Sequence, residues 1–298
     1  MNKNNDRQVE IFAYKSRYML LDFILIFISS SFLLGVLIGI LTSLGIEIDI
    51  SNPENPIFVS LFYCAIMISI CITTILRIQK SDLDPMLLVG TIWSKQIPWL
   101  MILTVSYAEK GVSRGIRLLC LYVSHLTSPN DVELLLKQSS FPFSYDASLL
   151  LTFFAIVIVA PLTEEFIFRG VLLHRWSSKW GVAIGITTSS VVFGLLHGDL
   201  FVAERISGAV IYALLYFKTQ SLMVPIVLHT INNLLAFVGT ILSDLTQQDS
   251  GYEIDVTYLW YAFVQFSLAL PALLYFLKIP SKRSELPYVR NQQSLVKK

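Results

Sequence analysis

Residues 161–170 read PLTEEFIFRG, Pro161 to Gly170, and follow directly on the apolar run LLLTFFAIVIVA, Leu149 to Ala160. The run has the make-up of a membrane helix, yet the residues after it bring two adjacent carboxylates and a guanidinium. Each ionised group costs kilocalories at membrane depth, so something has to offset it. On a helix Glu165 and Arg169 stand at i and i+4, on one face and in the favourable acid-first order. Glu164 points about 100° away. One carboxylate is thus held by the guanidinium while its neighbour faces different surroundings. Pro161, just upstream, has no N–H and frees a carbonyl one turn earlier, loosening the helix there. Taken alone, the group reads equally as a helix-end salt bridge at the water interface.

The rest of the chain agrees with a membrane setting. Of 298 residues, 54% are hydrophobic and only 14% charged, with a mean hydropathy of +0.65; soluble domains carry about a quarter charged residues. The expected fold is all-α, a polytopic membrane helical bundle. A hydrocarbon core of about 30 Å needs roughly 20 helical residues. Apolar runs near that length are Met19–Ile46, Ile57–Leu76, Met86–Tyr107, Ser148–Arg169, Gly181–His197, Ile206–Phe217, Leu222–Leu242 and Thr257–Leu277, about eight spans by that criterion. Met86–Tyr107 is weakened by Lys95 and Pro98. Gly111–Leu126, with Arg114 and Arg117 on one face, reads as an amphipathic helix lying in the interface. His174, Arg175 and Lys179 read as a cytoplasmic loop, and the basic tail Ser281–Lys298 as loose.

Organisation follows the chemistry. Residues 1–147 form an N-terminal transmembrane region without an assigned function, 148–242 the core that carries the polar motifs, and 243–298 a last span with a basic tail. Lys and Arg gather on both termini, whereas Glu47, Asp49 and Glu54 fill the first loop and Asp244, Asp249, Glu253 and Asp255 the last. Both termini are therefore expected in the cytoplasm of a bacterial-type plasma membrane. The net charge of +1 gives no field that favours nucleic acid. Cys64, Cys71 and Cys120 are scattered and read as small buried hydrophobes.

Two further polar groups sit on apolar runs at helical spacing. Phe193-x-x-x-His197 ends one run. His229-x-x-x-Asn233 lies within another, with Asn232 also in reach at i+3, so geometry alone does not choose between the asparagines. Together the three groups supply two carboxylates, a guanidinium, two imidazoles and an amide. That set suits water activation: Glu164 and His197 take a proton from a shared water, and His229 and Asn233 offer donors to the developing oxyanion. Glu164, His197 and His229 also match the ligand set of catalytic zinc, so a divalent metal such as zinc is a second route to the same hydroxide. No Gly-x-Ser-x-Gly elbow and no cysteine near a histidine supports a covalent nucleophile.

EEFIFR, FGLLH and HTINN resemble the EExxxR, FxxxH and HxxxN motifs of the CAAX-protease and bacteriocin-processing (CPBP) family of intramembrane endopeptidases. The resemblance covers about Ser148 to Leu242. It implies an all-helical membrane enzyme that cleaves a membrane-associated peptide or protein, with the bilayer as its surroundings. By position it implies Glu164 and His197 as the water-activating pair, Glu165 and Arg169 as support, and His229 and Asn233 for the oxyanion or a metal. Two other classes share these parts. A proton-coupled transporter also needs buried Glu, His and Arg, though no repeated halves are visible. A non-catalytic membrane scaffold or immunity protein would keep the motifs without the hydrolysis.

Overall fold

The computed structural model describes residues 19–46, 48, 55–80, 84–90, 99–130, 132, 147–197, 201–245, 254–278 and 286–296. Among them the regular elements are helices, apart from one isolated antiparallel bridge between Gly90 and Ser221. In chain order they are α1 (Met19–Ser43), α2 (Pro56–Lys80), the short α3 (Pro85–Val89) and α4 (Trp99–Thr127). A continuous helix over 147–180, here α5, alternates α-helical and π-helical turns. Then come α6 (Val182–Leu196), α7 (Val202–Thr219), α8 (Met223–Leu245), α9 (Thr257–Lys278) and α10 (Pro287–Val296).

Five described helices are long and apolar enough to cross a bilayer: Leu25–Ser43, Pro56–Gln79, Ser148–Trp180, Met223–Ser243 and Thr257–Lys278. The all-helical membrane bundle is as expected from composition, but several boundaries differ. The run Ser148–Arg169 does not end near Arg169; the helix continues to Trp180 and carries Glu164 to its middle. His174 is a fully buried residue of that helix rather than part of a loop. The expected interfacial helix Gly111–Leu126 is the second half of α4, which starts at Trp99 inside the run expected as a third span. Lys95 and Pro98 lie outside the described residues. Within the tail, α10 is docked rather than loose.

The packing explains these differences. α4 lies along α9 and also touches α7, so its polar half is held in the bundle. Its contact with α9 is made close by glycine: a Cβ on Gly111 would stand 2.8 Å from the Cβ of Ala269. Small residues let helix backbones approach in this way where the solvent is lipid. Ile102, Val105 and Ala108 of α4 then join Tyr212 and Leu215 of α7, Leu228 of α8 and Leu273 of α9 in one core. α10 closes the other end. Tyr288 is buried, its backbone N–H donates to Nε2 of His174 (3.2 Å), and its hydroxyl accepts from the Asp84 N–H (3.2 Å). Asn291 donates to Leu87 O at 2.9 Å. His174 Nδ1 lies 3.1 Å from Arg169 O, so both its nitrogens are bonded and a polar ring can be buried.

Replacing Gly111 by Ala places a methyl where Ala269 already stands, an overpacking cost of about 1–3 kcal/mol. Thermal unfolding in detergent is expected to show a lower Tm for Gly111→Ala and recovery of most of the loss when Ala269→Gly is added.

Candidate active site

The site starts from an irregularity in α5. In the π-helical segment Phe154–Val159 the Ala160 N–H donates to Ala155 O, five residues back. In the same register the partner of the Ile156 carbonyl would be residue 161, which is proline and has no N–H. That carbonyl is served instead from another helix: Nδ2 of Asn233, on α8, donates to it at 2.9 Å. The loosening expected at Pro161 is thus a widened turn, and Asn233 fastens α8 across it. π-helical turns of this kind occur often at functional sites. A second one, Phe166–Leu172, follows the two glutamates.

Between the widened turns stand Glu164 and Glu165, whose surroundings differ sharply. Glu165 is fully buried, at 0% exposure, and its Oε1 accepts from Nη1 of Arg169 at 3.0 Å. The same oxygen lies 2.9 Å from Nδ1 of His229. Arg169 is buried as well; its Nη2 donates to Ala209 O of α7 at 3.1 Å. Its guanidinium carbon faces the rings of Phe193 (4.8 Å) and Tyr212 (5.6 Å). Glu164 is not fully enclosed, with 12% of its side chain exposed. Its Oε1 accepts from the Tyr63 hydroxyl at 3.0 Å, and its Oε2 lies 3.9 Å from Nε2 of His229. That gap is too long for a direct hydrogen bond and short enough for one water to touch both atoms.

His229 is oriented by these contacts. With Nδ1 donating to a carboxylate, the neutral ring keeps Nε2 as its free acceptor, turned to Glu164. His229 also packs on Tyr212, with ring centroids 5.4 Å apart. His197 follows the last turn of α6, is exposed, and has Nδ1 2.8 Å from Phe193 O. A carbonyl only accepts, so this nitrogen donates and Nε2 is left free. Phe193, the other member of the motif, packs on the His197 ring at 4.6 Å.

The sequence-derived residues therefore assemble, though not in the expected pairing. Glu164, Glu165, Arg169 and His229 form one connected group. Among the described contacts Glu164 has Tyr63 and His229 as partners, while His197 is bonded to its own helix. His197, His229, Asn232 and Asn233 share a cavity of about 50 Å³. Of the two asparagines, Asn232 is buried and donates to the Tyr212 hydroxyl, and Asn233 holds Ile156. Tyr63, on α2, was not signalled by any motif; a tyrosine in an apolar helix looks like any other membrane aromatic.

A metal would need its donors to converge. Among the described residues no three His, Cys, Asp or Glu side chains form such a group. His229 keeps Nε2 free, but Glu164, His197 and His229 do not converge on one point in this arrangement. No step below runs through a metal.

A helical membrane bundle with a carboxylate–imidazole site inside it is the class that fold and geometry define. Residues 146–235 match the family model Rce1-like, described as Type II CAAX prenyl endopeptidase Rce1-like, and over this segment the chain is similar to that family. The chain is 30% identical over 144 residues to the membrane-embedded CAAX protease MroQ of Staphylococcus aureus (strain USA300), covering 46% of this chain and 55% of that protein. It is 26% identical over 159 residues to an uncharacterized 24.3 kDa protein of Escherichia coli, covering 51% of this chain and 68% of that protein. The matched part thus spans between half and about two thirds of these curated relatives. No solved structure matches.

The tie between Asn233 and Pro161 predicts a coupling. Asn233→Ala leaves the Ile156 carbonyl without its donor, at a cost of about 1–3 kcal/mol. Pro161→Ala returns a backbone N–H that can take over. In a double-mutant cycle of unfolding free energies, Asn233→Ala is expected to cost clearly less in the Pro161→Ala background.

Proposed function

We propose that the protein is an intramembrane endopeptidase that hydrolyses a peptide bond in a membrane-associated peptide or protein. The observation that carries this reading is the 3.9 Å gap between Glu164 Oε2 and His229 Nε2 beside a water-sized cavity. A water in that gap donates one hydrogen to each acceptor and keeps its lone pairs for a carbonyl carbon. As its oxygen attacks, Glu164 takes the proton and later delivers it to the leaving nitrogen when the C–N bond breaks. Glu165, held by Arg169, fixes the tautomer and the angle of His229, as an orienting carboxylate does for a catalytic imidazole.

The oxyanion needs donors. One Nδ2 hydrogen of Asn233 is taken by Ile156, and the second serves the developing charge. His197, at the exposed rim of the cavity, meets the reacting group through Nε2. Tyr63 acts through Glu164, holding one carboxylate oxygen so that the other faces His229; it is a positioning residue. The family match over residues 146–235 and the name of the Staphylococcus aureus relative support peptidase chemistry. The Lys and Arg bias at the ends supports cytoplasmic termini in a bacterial plasma membrane.

Cleavage of membrane-associated peptides by purified protein tests the proposal. Glu164→Gln is expected to lower kcat by about 10²–10⁴-fold, and Tyr63→Phe by several-fold with little change in KM. A Glu164→Gln protein that cleaves like the parent overturns the assignment. Hydrolysis is expected to persist in a strong chelator. Loss that zinc restores would instead support the sequence-level alternative in which Glu164, His197 and His229 hold a metal.

A further inference from the structure

The cavity has a second wall that none of the three motifs supplies. Glu109 and Ser113 of α4 face Gly208 of α7 there, across from His229 and Asn233. Glu109 is 2% exposed. Its Oε1 accepts from the Ser113 hydroxyl at 2.5 Å, and Ser113 Oγ lies 2.8 Å from Ser207 Oγ. Its Oε2 is buried with no hydrogen bond. The nearest cation, Lys110, is half-exposed, with Nζ 4.0 Å away and out of hydrogen-bond range. The position is built for this side chain: a Cβ on Gly208 would come within 2.9 Å of Oε1.

A buried carboxylate oxygen without a donor is costly, and a donor arriving with substrate recovers that cost. Glu204, on the same cavity, also has a buried Oε2 without a hydrogen bond, with Arg117 3.7 Å away as its cation. Size narrows the choice of donor. The cavity is small, about 50 Å³, room for a few waters, and so favours a compact donor over a ring or branched side chain. A primary ammonium is close to water in size and brings three N–H donors.

We propose that Glu109 is a subsite for a primary ammonium of the substrate, either a lysine side chain or a free amino terminus, in the cavity that His197, His229 and Asn233 also line. The proposal rests on the peptidase reading above. Glu109 sets which peptide is preferred, while Lys110 swings out as the incoming cation takes its place beside Oε2. Ser113 and Gly208 keep the carboxylate aimed into the cavity.

The test uses full-length protein in nanodiscs and peptide libraries with lysine or norleucine fixed at each position in turn, made with free or acetylated amino ends. Lysine at one register, or the free amino end, is expected to raise kcat/KM over its neutral counterpart by on the order of tenfold, the scale of one charge-assisted hydrogen bond. Glu109→Gln is expected to bring that ratio to about one, and Gly208→Ala to reduce it. Dependence on the lysine register identifies a side chain as the ligand; dependence on acetylation identifies the amino terminus. The absence of any cationic preference, or a ratio that Glu109→Gln leaves in place because both peptides slow equally, overturns the proposal. Binding of the same peptides to Glu164→Gln protein, followed by fluorescence anisotropy, separates it from the peptidase reading. If no peptide is cleaved, hydrolysis falls, and the subsite stands only if lysine peptides bind about tenfold tighter and lose that advantage when Glu109→Gln is added.

Discussion

A buried ion pair, Glu165 with Arg169, sets the terms for the middle of this molecule. Taking both charges out of water is expensive, and their attraction repays it only when the remaining donors and acceptors are met. Here α5 supplies the pair, α7 the Ala209 carbonyl, α8 the His229 imidazole, and Phe193 of α6 and Tyr212 of α7 the ring faces that cover the guanidinium. Four helices thus meet at one point because each satisfies part of the same charge pair. An arrangement that moved any of them would leave an ionised group uncompensated, which costs several kcal/mol. The approach of His229 to Glu164 is a by-product of that requirement: once His229 answers Glu165 through Nδ1, its other nitrogen turns to Glu164.

Two neighbouring residues of one kind thereby acquire opposite roles. Glu165 is fully enclosed, with one oxygen committed twice over. Glu164, one residue earlier, keeps a little exposure and meets only a tyrosine hydroxyl and a distant imidazole nitrogen. Glu165 also has an unpartnered oxygen, Oε2, but that one is sealed in the core, whereas Glu164 keeps access to the outside. Glu109, on the far wall, also divides its oxygens: one is answered by Ser113 and the other is buried without a hydrogen bond.

What could be read from the sequence was what local spacing determines. The i, i+4 relation of Glu165 and Arg169, the pairing of His229 with an asparagine, and the loosening at Pro161 all depend on residues within a turn or two. What could not be read depends on helices distant in the chain. Tyr63 and Glu109 come from the region before residue 148 and have no nearby motif. His174 looked like a loop residue because Arg175 and Lys179 follow it, whereas its burial depends on a Tyr288 backbone N–H from the end of the chain. Hydropathy placed the end of α5 too early for the same reason, since it counts a polar side chain as wet whether or not a partner arrives. Asn232 and Asn233 are told apart only by partners on other helices, the Tyr212 hydroxyl for one and the Ile156 carbonyl for the other.

The shortness of α6 carries one more consequence. Its fifteen residues give a rod of about 22 Å, against a hydrocarbon slab of about 30 Å. Such a mismatch is relieved by thinning of the lipid leaflet or by inward dimpling of the water interface. His197 stands at the C-terminal end of this helix. A lipid slab thinned around so short a rod brings the water interface nearer to that imidazole than a full-length span would.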